Sequence, residues 1–139
     1  MSSEDISPYI KEETKAVFVE TPTNPMMNVT DLEILSKVTK RNNLLLIVDN
    51  TFLSPYFQNP IELGADIVIH SGTKFLNGHH DTIAGFAVTA DEAIAEKIRF
   101  VLKTTGACPG KCILYCRMAE QAGRGKQSDL SGAYQSSGI

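Results

Sequence analysis

Three things are scarce in this chain, and each scarcity removes a class of function. No stretch of the 139 residues approaches the roughly 18 uncharged apolar side chains that a membrane-spanning helix needs. The opening MSSEDISPYIKEE lacks the basic and apolar regions of a secretory signal, so a cytoplasmic location is expected. An excess of one charge is missing too: 13 Lys and Arg are interspersed with 16 Asp and Glu, for a net charge of -3. That leaves no electrostatic footprint for nucleic acid or an anionic membrane surface, and a small-molecule ligand is the expected partner. Cysteine is limited to Cys108, Cys112 and Cys116, whose spacing of four would align them on one helical face. Structural zinc usually takes four ligands in paired short spacings, so the three read as small buried side chains in a reducing compartment and no metal is expected.

The hydrophobic content, 42%, suffices for one domain with a real core. Residues 16–20, AVFVE, form a short apolar run that ends at the turn-forming TPTNP, which predicts a buried strand and a loop. Thr30 and Glu33 have capping-box spacing, and Leu32, Leu35 and Val38 recur on one face up to the RNN stop, predicting a helix over 30–41. LLLIVDN at 44–50 is apolar without alternation, the pattern of a parallel strand covered on both faces. NPIELG then predicts a short helix closed by Gly64, ADIVIH at 65–70 a third strand and GFAVTA at 85–90 a fourth. Asp91 caps a helix with Ile94, Ile98, Val101 and Leu102 on one stripe, stopped by Gly106. Strands alternating with helices imply an α/β fold with an open, mostly parallel sheet, where ligands collect at the carboxyl ends of the strands.

Those ends carry Glu20 to Asn24, then Asp49 and Asn50, then Ser71 to Lys74. A lone lysine is by default a solvated surface residue and a lone Asp a loop cap. Convergence of a carboxylate, an amide, two hydroxyls, a glycine turn and a primary amine suits pyridoxal phosphate: the lysine forms an imine, the carboxylate keeps the pyridine nitrogen protonated, and hydroxyls and backbone N–H groups take the phosphate. In that setting Lys74 is expected to be desolvated, with a lowered pKa that leaves it free to act as nucleophile and base. A P-loop is ruled out, because Thr73 rather than Gly precedes the lysine and Phe75 rather than Ser or Thr follows it. His79, His80 and Asp81 are adjacent, which rarely allows side chains to converge on one ion, so they read as turn or surface residues.

ETPTNP at 20–25, VDNTFLSPYFQNPIELGADIVIHSGTKFLNGH at 48–79 and AGFAV at 84–88 closely resemble the Cys/Met-metabolism family of pyridoxal phosphate enzymes, which includes the cystathionine lyases and synthases, methionine γ-lyase and the O-acetylhomoserine sulfhydrylases. The resemblance runs from about residue 5 to about residue 105. It implies a slice of the large domain of an aspartate-aminotransferase-like (fold type I) enzyme over 1–105, with a divergent, polar, flexible tail over 106–139. It also implies residue roles: Lys74 as the cofactor lysine and proton shuttle, Asp49 opposite the pyridinium nitrogen, Ser71 and Thr73 at the phosphate, and Asn24 near the ring's phenolic oxygen. The implied activity is a carbon–sulfur lyase of sulfur amino-acid metabolism acting on cystathionine or a related amino acid, since SGTKFLNGHHDTIAGFAV looks closest to bacterial cystathionine lyases.

The sequence also departs from the family. Asn77 stands where the family usually has a second glycine, and the family's upstream phosphate loop, ring-stacking aromatic residue and downstream carboxylate-binding arginine are outside this chain. Weak or absent turnover by the chain alone is therefore expected, the alternative being a non-catalytic fragment that keeps the fold. Loss of neighbouring elements predicts self-association, as a homo-oligomer or through an exposed sheet edge.

Overall fold

In the computed structural model, residues 6–79 and 81–107 are described; Cys108, Cys112, Cys116, His80 and most of the expected tail lie outside them. Four strands, β1 (Ala16–Glu20), β2 (Leu45–Asp49), β3 (Ile67–Ser71) and β4 (Gly85–Val88), form one sheet in the order β1-β2-β3-β4. The first three are parallel and β4 runs antiparallel to β3, so the sheet is mostly parallel as the sequence predicts. Three helices accompany it: α1 (Leu32–Arg41), α2 (Ser54–Phe57) and α3 (Glu92–Thr105). No helix among the described residues is long and apolar enough to cross a membrane.

Helix α1 starts and stops for identifiable reasons. Asp31, not Thr30, is its N-cap, and the carboxylate accepts from Ile34 N at 3.0 Å. The N-cap thus lies one residue beyond the expected one, and no capping box forms, because Ile34 rather than Glu33 stands at the third helical position. At the other end Asn43 takes a left-handed conformation (φ 53°), while Leu44 N donates to Thr39 O at 2.9 Å and Asn43 N to Lys40 O at 3.2 Å. These two bonds make a Schellman motif, with Asn in the place glycine usually fills.

The buried face of α1 is Leu32, Leu35, Ser36 and Thr39, rotated from the expected stripe so that Val38 is only half-buried. Burial of the two hydroxyls is tolerated because each bonds back into the helix, Ser36 Oγ to Glu33 O and Thr39 Oγ1 to Ser36 O, both at 3.0 Å. Close approach explains Gly64, which sits at φ +97° where a Cβ would meet Ser36 Oγ at 2.6 Å. The segment leading to it, predicted as a helix, is a run of tight turns: Glu62, Leu63 and Gly64 each donate to the carbonyl three residues back. Helix α2 before it was not foreseen.

The core is Leu32 and Leu35 of α1 against Leu46, Val48 and Val68 of the sheet, with Ala65 and the flanking Val17, Val19, Ile61 and Leu63. All these sheet residues share one face. Side chains on the other face alternate with them: Phe18 and Leu45 are exposed, and Ile47, Asp49, Ile67, Ile69 and Ser71 are half-buried. The unbroken apolar run in β2 predicts cover on both faces, yet among the described residues only one face is packed to full burial.

Candidate active site

Parallel register sets the site. Glu20 pairs with Asp49 across β1 and β2, and Asp49 with Ile69 across β2 and β3, so the loops leaving all three strands emerge at one end of the sheet. Asp49 and Ser71 belong to the half-covered face. Asn50 points the opposite way and is fully buried, where its amide donates to Ser54 O (3.1 Å) and Gln58 O (2.8 Å) and accepts from Gln58 Nε2 (2.9 Å). The amide expected to stand at the site after β2 is therefore structural and anchors α2.

The Asp49 carboxylate is held at one oxygen. Oδ1 accepts from Thr51 N at 2.9 Å and from Thr51 Oγ1 at 2.5 Å, an arrangement typical of Asp at the start of a turn. No described residue donates to Oδ2. Thr51 Oγ1 in turn accepts from Ser71 N at 2.8 Å, so the carboxylate and the first residue of the lysine segment are linked through a single hydroxyl. A second link is aromatic: Phe52 and Phe75 meet edge to face, with centroids 6.0 Å apart, directly beside Thr51 and Lys74. Neither Thr51 nor the Phe52–Phe75 pair was anticipated from sequence. Their signal was their position, each one to three residues beyond a site residue in a short loop.

After Ser71 the chain enters a wide turn over Gly72–Leu76, in which Asn77 N donates to Gly72 O at 3.0 Å and the helix is kinked at Lys74 (φ -90°, ψ -122°). The turn is pinned to residue 84. Gly72 N donates to Ala84 O at 2.8 Å, Ala84 N donates to Thr73 Oγ1 at 3.1 Å, and the Thr73 hydroxyl reaches Ala84 O at 3.4 Å. Gly72 is buried against the Phe86 ring, and a Cβ there would lie 2.4 Å from Phe86 Cε2.

Lys74 is exposed, so the desolvation expected of it is not supplied by the described residues. Ser71 and Lys74 have side chains with no partner among them. Asn24 is exposed on the loop after β1, and its backbone N–H lies 3.5 Å from Glu20 Oε2. It enters at the same end of the sheet but makes no hydrogen bond to Asp49 or Ser71. Behind the site, His70 is almost fully buried and lines an open-sided cavity of about 240 Å³ with Val68, Leu76, Phe86 and Val88. Burial pushes its imidazole below the ordinary value, opposed by a backbone contact with Asn50 and by the Asp49 charge, and Nδ1 has no hydrogen-bond partner. Among the described residues no cluster of three His, Cys, Asp or Glu could hold a metal ion.

A sequence model described as "Cys/Met metabolism PLP-dependent enzyme" matches residues 1–118. The chain belongs to that family. It is 49% identical over 109 residues to cystathionine gamma-lyase of Bacillus subtilis, covering 78% of this chain and 29% of that protein. It is 54% identical over 110 residues to L-methionine gamma-lyase of Fusobacterium nucleatum, covering 77% of this chain and 28% of that protein. The crystal structure of Lactobacillus plantarum cystathionine gamma-lyase complexed with L-serine superposes with a TM-score of 0.79 at 39% identity, over 85% of this chain and 32% of that one. The chain thus spans about a third or less of these relatives. Both lyases and a B. subtilis cystathionine gamma-synthase/O-acetylhomoserine (thiol)-lyase, 58% identical over 89 residues, are among its relatives, so the family includes lyases and synthases at comparable distance.

The donor set fits the family's cofactor. A carboxylate with one oxygen committed and one unengaged suits a pyridinium N–H, Ser71 offers a hydroxyl donor, and Lys74 offers an amine. The Thr73 hydroxyl accepts from Ala84 N at 3.1 Å, but its own proton reaches Ala84 O only at 3.4 Å, a bond near the geometric limit that an anionic oxygen would outcompete.

Proposed function

We propose that this chain carries the cofactor-binding part of a pyridoxal-phosphate-dependent carbon–sulfur lyase that acts on cystathionine or a related sulfur amino acid. The observation that supports it best is the bonded line Ser71 N to Thr51 Oγ1 to Asp49 Oδ1, which leaves Oδ2 of the carboxylate unengaged beside the segment that bears Lys74. Asp49 would hold the ring nitrogen through Oδ2, Ser71 and Thr73 would donate to the phosphate, Lys74 Nζ would anchor the cofactor and move a proton to and from the substrate carbon, and Asn24 would border the ring. When bound, pyridoxal phosphate supplies an electron sink for charge that develops on that carbon. Asp49 would maintain that capacity by holding a proton on the ring nitrogen. Preference for elimination over synthesis rests on the likeness of residues 71–88 to cystathionine lyases.

A second reading, a fragment that keeps the fold without holding the cofactor productively, is favoured by the exposure of Lys74 and the commitment of the Thr73 hydroxyl to Ala84. Titrating purified chain with pyridoxal 5'-phosphate separates the two. The lyase reading requires a visible absorbance band that borohydride bleaches, leaving the reduced cofactor's mass on the peptide containing Lys74, and loss of both in Lys74→Ala. Protein that stays colourless with cofactor in excess supports the fragment reading. We also propose a cytoplasmic location and self-association through the half-covered sheet face or the outer edges of β1 and β4, which no other described strand pairs. A stable monomer in size-exclusion chromatography would count against the latter.

A further inference from the structure

We infer that Thr51 is a positioning residue, the splice that fixes the Asp49 carboxylate relative to the Ser71–Lys74 segment; this deepens the proposed cofactor site and rests on it. The backbone ladder between β2 and β3 ends where Asn50 N donates to Ile69 O at 2.9 Å. One step further β2 has turned away, and Ser71 N would have no acceptor. Thr51 Oγ1 takes the role of the missing backbone carbonyl at 2.8 Å. A hydroxyl has one proton, and because the Ser71 N–H occupies a lone pair, that proton is free to point at Asp49 Oδ1, 2.5 Å away. Direction is thereby set along the whole line: amide to hydroxyl to carboxylate. The Thr51 N–H adds a second bond to the same carboxylate oxygen at 2.9 Å, which leaves Oδ2 as the oxygen facing the ligand.

Threonine suits this task better than serine in one respect, because its branched Cβ restricts χ1 and holds the hydroxyl between its two partners. Valine keeps that branching and volume but can neither accept from Ser71 nor donate to Asp49. In Thr51→Val the Asp49 side chain, now held by one backbone bond, becomes free to rotate, and the Ser71 amide is left without an acceptor. The groups that would grip opposite ends of one cofactor then no longer move as a unit.

The test compares wild type, Thr51→Val, Thr51→Ser and Asp49→Ala by NMR without cofactor and by spectral titration with pyridoxal 5'-phosphate. Without cofactor, Thr51→Val should speed hydrogen exchange at the Ser71 amide at least about tenfold and average the Asp49 Hα–Hβ couplings, while Val68 and Ile69 amides stay as in wild type; Thr51→Ser should restore most of the difference. With cofactor, Thr51→Val should weaken binding about tenfold, the scale of one charge-assisted hydrogen bond. Unchanged Ser71 exchange and unchanged Asp49 couplings would overturn the inference, as would a cofactor affinity that Asp49→Ala reduces and Thr51→Val does not. The exchange and coupling measurements need no cofactor, so they decide the positioning role even if wild type takes up none, an outcome that defeats the proposed function separately.

Discussion

Adding one methyl group at Gly72 should perturb the lysine turn without touching any polar group in it. An ideal Cβ there lies 2.4 Å from Phe86 Cε2 and 2.9 Å from Ala84 Cβ, whereas carbon atoms pack at about 3.5–4.0 Å. Ala84 has little room to retreat, because its carbonyl accepts from Gly72 N and its amide donates to Thr73 Oγ1. The Phe86 ring can give way, since it lines the open-sided cavity beside His70, but its edge must withdraw by about 1 Å or more and leave a favoured rotamer. Overpacking of this kind costs about 1–3 kcal/mol, so Gly72→Ala should lower the urea midpoint with an unchanged m-value. Phe86→Leu removes the clashing ring edge at its own cost of about 1 kcal/mol or somewhat more. The double variant should then be more stable than the sum of the singles by about 1 kcal/mol or more. A cycle that closes additively, or a Gly72→Ala protein as stable as wild type, would refute this account of why glycine stands there.

Two further outcomes follow from the same structure. Asn50→Ala should cost about 1–3 kcal/mol in equilibrium unfolding, because it removes a fully buried side chain and strips partners from Ser54 O, Gln58 O and Gln58 Nε2, which are half-buried; a loss under about 0.5 kcal/mol would contradict the anchoring role of Asn50. His70 has a folded-state pKa lowered from 6.5, so the unfolded chain binds the proton more readily than the folded one. Its contribution to stability is therefore complete above pH 6.5 and is lost as pH falls from there toward the lowered folded value. Urea midpoints measured across that window should fall more steeply for wild type than for His70→Leu, and parallel slopes would refute it.

The legible parts of this chain were those where one local signal settled the matter. β1 matches the apolar run AVFVE residue for residue, and Asp91 caps α3 as its place before an amphipathic stripe suggests, with its carboxylate 3.0 Å from Ile94 N. The errors came where two signals competed or where the answer lay outside the window. Thr30 with Glu33 and Asp31 alone are both sound cap patterns, and only the backbone conformation at Asp31 decides between them. NPIELG has helical composition but must pass under α1 at Gly64, and that contact holds it in turns. At the site, sequence identified which residues stand at the strand ends but not which way they face. Asp49 and Asn50 are adjacent and both polar, yet the period of two sends one to the half-covered face and the other into the core. Thr51 could not be singled out, because its function depends on the register of β2 against β3, a long-range quantity.

The half-covered face has a consequence for the site itself. Phe18, Leu45, Ile47, Ile67 and Ile69 lie on the same side of the sheet as Asp49 and Ser71, so whatever covers those apolar side chains also removes water from around the carboxylate. A charge pair between Asp49 and a cofactor ring strengthens as the local dielectric falls, and at an open surface it is screened. If self-association through this face supplies the cover, cofactor uptake and association are linked, and each favours the other by mass action. Spectral titrations at roughly 1 µM and roughly 100 µM protein should then give a tighter apparent Kd at the higher concentration, with the oligomer fraction rising on addition of cofactor. Phe18→Glu, which places a charge on the edge-strand side of the apolar face, should weaken association and cofactor affinity together while leaving the packed core on the opposite face intact. An apparent Kd that is independent of concentration while the oligomer fraction changes would separate the two processes and show that water at this face does not control the site.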